Sequence, residues 1–354
     1  MTSSEYRSPR SQGVPLGSLL ETGTVPVDSP FYIERDADRK ATVALESGAG
    51  TVVIKGYRQS GKSSLLLRLH AHGISKNWRS CYLNLQALDP QSLSDTPTFF
   101  RHLAWMIADE LDAIVDPDGY WSERLSSPLN LTRFVEQAVL PKSESAVQIL
   151  FDEVDMVFQL GQSRIDFFTM IRNWHNSRAI DPEWEKLRLV LSHATDPALW
   201  IPDVYQSPFN IGLSLTLADF DLLQIADLNR RYGEPLRSDA EIRRLAQLLG
   251  GHPYLVRLAL WTLVQQQWRI DELENVAQTA EGPFAAHLDG YGRLIAENPE
   301  LAQALRRVLE KGECDEQSFS RLWVSGLVRR AERGLVVMRS ELYRDYFEAR
   351  RSNL

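Results

Sequence analysis

The chain has 354 residues, of which 44% are hydrophobic and 24% charged, and its formal net charge is −8. That size and balance predict a sizeable core divided among two or three units, and the acidic excess excludes a surface that is basic throughout, leaving only a local basic patch open to nucleic acid. The two cysteines, Cys81 and Cys314, stand far apart and fit no metal-ligand spacing, which predicts reduced thiols, no structural metal and a cytoplasmic setting.

Residues 1–28 are rich in Ser, Gly, Pro and Thr, lack periodicity and lack the apolar centre of a secretory signal, so a flexible leader is expected there. A helix is predicted over 36–47, followed by Thr51, Val52, Val53 and Ile54, a β-branched run suited to a buried strand. Gly56 to Ser63 then read Gly-Tyr-Arg-Gln-Ser-Gly-Lys-Ser, a complete GxxxxGK[ST] phosphate loop, and a helical pattern begins at once with Ser64 and Leu65. A strand is expected at 81–85 and helices over 98–115, with Trp105 in the core, and over 131–140. The apolar run from Val147 to Phe151 ends in Asp152 and Glu153; a helix over 165–179 and strands at 187–191 and 210–215 follow. Strand and helix alternate, which predicts an α/β unit over 29–215, a parallel sheet with helices on both faces and a site at the strands' carboxyl ends. From 216 the pattern is helical only, predicting an all-helical lid over 216–297, and 298–354 reads helix, helix, hairpin, helix, the order of a winged-helix domain.

The loop's chemistry follows from its residue types. Gly56 and Gly61 let the backbone curl so that amides around Gln59 and Ser60 point inward, and the following helix adds the positive end of its dipole. Lys62 is expected on the β- and γ-phosphates and Ser63 on Mg2+, with Ser64 in the first helical turn behind it. Asp152 fits the metal carboxylate of the Walker-B position and Glu153 the base that polarises the attacking water; the alternative is that the pair caps the next segment. Asp155 is expected on the surface. The predicted cofactors are ATP or ADP with Mg2+.

Phe31 to Asp38, the phosphate loop, the Asp152-Glu153 strand, Ser207 to Gly212 and Gly250 to Leu255 together resemble the bacterial AAA-like ATPase family, over nearly the whole chain from Ser29. That family is similar to the STAND class of signalling P-loop NTPases, in which nucleotide domain, helical lid and winged helix form an ADP-locked switch. The resemblance implies that Arg35 lines the adenine and ribose and that the Gly251-His252-Pro253 turn sets His252 or Pro253 against the nucleotide; the alternative for that turn is an ordinary helix connection. Between His193 and Arg230 there is no Lys or Arg, where a ring-forming motor would carry an arginine finger. His193 or Thr195 is left to read the γ-phosphate, or to be a satisfied polar strand end. Arg164, Arg172 and Arg178 are candidates for a trans-acting arginine, or solvated helix-face residues.

These readings predict a slow switch-type ATPase that controls a separately encoded effector or signalling partner, with a nucleotide-dependent homo-oligomer, a setting in bacterial signalling or defence, and no membrane contact. A nucleic-acid-associated ATPase of transposition or loader type is the competing reading. It would dock DNA through Arg321, Arg329, Arg330, Arg333, Arg339, Arg344, Arg350 and Arg351. A small-molecule P-loop kinase ranks third, having no use for a lid and winged helix.

Overall fold

A computed structural model describes residues 23–89, 95–111, 115–161, 163–194 and 211–351. The chain divides into a nucleotide unit, Glu34–Ala218 with Trp323–Gly326, and a helical unit, which among the described residues comprises 23–33, 219–322 and 327–351.

In the nucleotide unit the order is α1 (Asp36–Glu46), β1 (Thr51–Lys55), α2 (Lys62–Ser75), β2 (Arg79–Asn84), α3 (Thr96–Glu110), α4 (Ser127–Phe134), β3 (Val147–Asp152), α5 (Ser163–Ser177), α6 (Pro182–Glu185), β4 (Leu187–His193) and β5 (Leu213–Thr216). The five strands are all parallel, in the order β2-β3-β4-β1-β5. Because side chains alternate along a strand, one sheet builds two cores. Val52, Ile54, Leu150 and Val190 pack with Ala41 and Leu45 of α1 and Leu66 and Leu69 of α2. Val53, Ile149, Phe151, Leu189 and Leu191 pack on the other face with Phe99, Leu103, Phe134, Phe167 and Trp174 from α3, α4 and α5. Truncating a fully buried ring such as Phe151 to Ala would cost about 3–5 kcal/mol.

Trp105 departs from expectation, being 39% exposed. The buried face of α3 runs through Phe99, Phe100, Leu103, Ala104 and Ile107, and position 105 falls between its turns. Asp95, not a residue at 98, starts this helix by accepting the Thr98 amide at 2.9 Å. Cys81 and Cys314 are both free thiols, and burial raises the pKa of Cys81.

The helical unit contains α7 (Leu222–Arg231), α8 (Asp239–Leu249), α9 (Pro253–Gln266), α10 (Ile270–Val276), α11 (Ala285–Ala296), α12 (Pro299–Lys311), α13 (Glu316–Val324, whose last two residues belong to the nucleotide unit), an antiparallel pair β6 (Val328–Arg330) and β7 (Val336–Met338), and α14 (Glu341–Glu348). Asp221 and Gln224 form a reciprocal cap at the start of α7, and Ser238 caps α8. Residues 23–33 precede the nucleotide unit in sequence yet pack here. Phe31 stacks on Tyr232 at 4.4 Å, and Arg231 Nη1 donates to the carbonyls of Pro30 and Tyr32 at 2.7 and 2.8 Å.

Helix α11 lies within the span expected to be all-helical. Gly290 and Gly292 weaken its intrinsic preference, but a side chain at Gly292 would begin 2.8 Å from the Tyr346 hydroxyl, so packing selects the glycine. Among the described residues, no helix is long and apolar enough to cross a membrane.

Candidate nucleotide site

Strand β4 lies between β3 and β1, so the carboxyl ends of all three meet along one edge of the sheet. Lys55 of β1 is in register with His193 of β4, and Asp152 of β3 with Asn84 of β2. The phosphate loop leaves β1 at this edge, and the Gly56 amide donates to the His193 carbonyl at 3.1 Å. The paired acids leave β3 two strands away. The sheet order thus brings together motifs that lie about ninety residues apart in sequence.

Within the loop, Gln59 and Gly61 have left-handed backbones with φ of 62° and 96°, and Gly61 forms the N-cap of α2 without any side-chain cap. The first amides of α2 are therefore not closed off by a side chain, which makes the helix end a receptor for an anion. Gly56 is required by close approach, since a Cβ there would stand 2.4 Å from Ser60 Oγ. Ser60 Oγ is itself buried and makes no hydrogen bond among the described residues.

Lys62 is 4% exposed, and its ammonium has only long contacts: 3.5 Å to the Tyr57 carbonyl and 3.9 Å to Glu153 Oε1. A buried cation held this weakly calls for a stronger anionic partner. The orphaned hydroxyl, the uncapped helix end and this lysine all fit a polyphosphate. Ser63, partly exposed on the first turn of α2, and Asp152 give one hydroxyl and one carboxylate. That sparse set suits Mg2+, whose other positions are filled by phosphates and waters.

Asp152 is 1% exposed, and both its oxygens accept hydrogen bonds. Tyr82 Oη donates to its Oδ2 at 2.6 Å, while Oδ1 accepts from Ser192 Oγ and from the Glu153 amide at 3.0 Å. Glu153 adopts a left-handed backbone, φ 54°, and its amide also donates to Ser192 Oγ at 3.1 Å. A non-glycine residue in that region costs on the order of 1 kcal/mol, which these amide bonds offset. Burial raises the pKa of the Glu153 carboxyl; Lys62 opposes the shift, and Asp152 and Asp155 add to it. The shift makes Glu153 a better proton acceptor than an exposed glutamate.

Asp155 is a correction to the sequence reading. Its Oδ2 accepts the Ala194 amide at 2.7 Å, tying the segment after β3 to the end of β4. Ser192 and Tyr82 also escaped the sequence reading, because only the strand order sets them beside Asp152.

Arg35 is 7% exposed and braces the loop from its backbone side: Nη1 donates to the Ser60 carbonyl at 2.7 Å and to the Ala218 carbonyl at 3.3 Å. His193 is buried at the end of β4, and Ser64 is buried in α2. Thr195 and 207–210 lie outside the described residues. Arg178 is placed away from the site. It donates to the carbonyls of Gly48, Leu187 and Glu185, at the amino ends of β1 and β4.

Residues Trp323–Gly326 return to the nucleotide unit and seat on the loop. The Arg58 amide donates to the Val324 carbonyl at 2.9 Å, and the Trp323 ring meets Tyr57 edge-on at 6.5 Å, with Lys55 Nζ 5.2 Å from its centre.

His252 and Pro253 belong to the helical unit. The His252 ring is fully buried, 5.9 Å from His287 and 6.5 Å from Tyr254, and burial drives its pKa well below the usual value for histidine. The preceding Gly250 and Gly251 have φ of 64° and 73°, and a Cβ on them would meet the Arg339 and Phe220 carbonyls at 2.2 and 2.3 Å. The double glycine is therefore dictated by backbone crossing within this unit.

A phosphate loop at the carboxyl end of a central parallel strand, with a buried strand-end aspartate and an adjacent glutamate two strands away, defines a P-loop ATPase fold. The chain belongs to the AAA-like domain family, whose model matches residues 20–349. It is 30% identical over 266 residues to an uncharacterized WD repeat-containing protein of Synechocystis, covering 73% of this chain and 22% of that protein, so it spans about a fifth of that relative's length. Among solved structures, a Walker-type ATPase of Pyrococcus abyssi superposes with a TM-score of 0.61 at 14% identity, over 90% of this chain and 96% of that one. A STAND protein with a tetratricopeptide repeat sensor from Pyrococcus horikoshii is similar with a TM-score of 0.39 at 14% identity, over 90% of this chain and 42% of that one.

Proposed function

We propose that this chain is an ATP-binding, slowly hydrolysing switch whose nucleotide state governs the assembly or activity of a partner. The amides at the start of α2 and the Lys62 ammonium bind the phosphates, and Ser63 and Asp152 hold Mg2+. When bound there, Mg2+ would supply neutralisation of phosphate charge. Glu153 accepts the proton of the attacking water at its carboxylate. The γ-phosphate is the differential ligand: a switch needs contacts that exist in one nucleotide state and not the other.

The observation that carries the switch reading is the seat of Trp323–Gly326 on Tyr57 and Arg58, inside the phosphate loop. This segment continues in the chain into β6, so a change in the loop on nucleotide exchange has a covalent path into the C-terminal elements. By their order we read α12 to α14 with the β6–β7 pair as a winged helix. The WD repeats joined to a matching segment in the Synechocystis relative also suit a switch that works through other modules.

The competing DNA-docking reading is weakened by where the arginines go. Arg321 pairs with Glu300, Arg330 with Glu316, Arg344 with Glu341 and Asp345, and Arg351 with Glu310; Arg339 is buried against Asp219. Arg329 is exposed, and the side chain of Arg333 lies outside the described residues.

Release of a fluorescent ADP analogue from Trp323→Ala tests the switch. Loss of an aromatic pair worth about 1 kcal/mol should change the dissociation rate roughly five- to tenfold while leaving the fold intact. An unchanged rate would show that the segment does not sense the loop.

A further inference from the structure

Between Gly56 and Gly61 the phosphate loop turns two side chains inward: Tyr57 is 1% exposed, and Ser60 is fully buried. Arg58 and Gln59 turn outward to solvent, Gln59 with its left-handed backbone at φ 62°. Arg58 is fixed through its main chain, whose amide donates to the Val324 carbonyl at 2.9 Å. That seat is close, since Gly326 has φ 86° and a Cβ there would stand 2.8 Å from Tyr57 Cδ2. The Arg58 guanidinium, by contrast, makes no hydrogen bond or ion pair among the described residues.

Its charge nevertheless falls on Glu153. Burial raises the pKa of that carboxyl, and two cations oppose the rise, Lys62 the more strongly and Arg58 the less. Glu153 marks the end of the site where water attacks, so a loop cation that reaches it serves the γ-phosphate and not the inner phosphates. A guanidinium carries five donors in a planar fork that fits phosphate oxygens two at a time, which the Lys62 ammonium cannot do. Charge spreads over the γ-phosphoryl oxygens during transfer, and an arginine directed at them is worth about a thousandfold to a hundred-thousandfold in rate, whether it comes from the same chain or another. This sequence has no Lys or Arg between His193 and Arg230, where a finger for a neighbouring chain would be carried.

We propose that Arg58 is the γ-phosphate ligand of this site, an arginine supplied in cis by the phosphate loop itself. This role rests on the nucleotide-binding reading above and adds to it the residue that tells ATP from ADP. Because the amide of the same residue holds Val324, drawing the guanidinium onto a γ-phosphate acts on the seat of Trp323–Gly326.

The full chain is titrated calorimetrically with ADP and with the non-hydrolysable analogue AMP-PNP, both with Mg2+, as the wild type, Arg58→Ala and Arg58→Lys. Arg58→Ala is expected to bind ADP within about twofold of the wild type and AMP-PNP roughly ten- to a hundredfold more weakly, as loss of hydrogen bonds to a charged group predicts. Arg58→Lys should fall between, because it keeps the charge without the fork. If Arg58→Ala does not fold, selective weakening toward AMP-PNP in Arg58→Lys carries the same decision. Equal weakening toward both nucleotides, or no change toward either, overturns the proposal. Phosphate release from an equimolar mixture of Arg58→Ala and Lys62→Ala separates cis from trans. In cis, neither chain holds both cations, and the mixture stays at the level of the two variants alone. Recovery of phosphate release means that the arginine serves a neighbour's nucleotide, which also overturns the proposal. Where the wild type releases no phosphate, the titrations decide by themselves. A wild type that binds neither nucleotide overturns the nucleotide reading instead.

Discussion

The two units differ in where their buried polar groups are left unmatched. In the nucleotide unit, burial is left incomplete at one edge of the sheet: Lys62 has only long contacts, Ser60 Oγ has no partner among the described residues, and α2 starts without a side-chain cap. In the helical unit several large buried groups are matched within the unit, while single atoms such as Ser320 Oγ and Arg306 Nε have no partner among the described residues. His287 Nε2 is 2.7 Å from Tyr343 Oη, and the Arg339 guanidinium meets Asp219 at 2.6 Å and the Val328 carbonyl at 3.1 Å. Unmatched groups gathered at one strand end mark a place that a ligand can complete, whereas scattered single atoms do not.

This contrast between the units is broken most directly at Lys62. Lys62→Ala should weaken ATP and ADP binding by about a thousandfold in a calorimetric titration, since truncating one partner of a buried charged contact costs about 2–5 kcal/mol. In the absence of nucleotide the same variant should melt no lower than the wild type, because the lysine gains little from its own fold. A clear loss of thermal stability would mean that its burial is satisfied after all.

The helical unit should show the opposite sensitivity, to pH. Burial holds His287 down at about 4, against an ordinary value of 6.5, and also lowers His252 well below that ordinary value. The unfolded chain takes up protons as pH falls through 6.5, whereas the folded unit does so only near 4. The stability contributed by neutral His287 is therefore complete above pH 6.5 and is lost as pH falls from there to about 4, an amount on the order of 3 kcal/mol. Melting curves across that window should flatten in His287→Gln, which keeps a hydrogen-bonding group and cannot titrate. A wild type with pH-independent melting from 4 to 7 would refute the assignment.

Glu153→Gln gives a smaller expected change than either. Phosphate release should fall about a hundredfold with ADP affinity held within about threefold, as expected when a proton acceptor is lost and the binding groups survive. Hydrolysis at the wild-type rate would move the base elsewhere.

Local sequence determined more of the nucleotide unit than of the helical one. The phosphate loop, the strand before it and the Asp152-Glu153 strand end are contiguous motifs whose chemistry depends on neighbours one to eight positions away, so they were legible without any fold. The β-branched run of Val52, Val53 and Ile54 likewise predicted a buried strand. Helix α11 fell inside a span expected to be helical, but its two glycines left its bounds unmarked.

Only the tertiary structure decided which residues share the site. Sequence spacing is silent about strand order, and it is the order β2-β3-β4-β1 that sets Tyr82 and Ser192 on either side of Asp152 and brings the Gly56 amide to the His193 carbonyl. It also turned Arg35 toward the Ser60 carbonyl of the loop and Arg178 toward the amino ends of β1 and β4. The physical reason is one of range. A motif's backbone geometry is a local property, whereas the partners of a buried charge are chosen by whichever elements the core packs beside it.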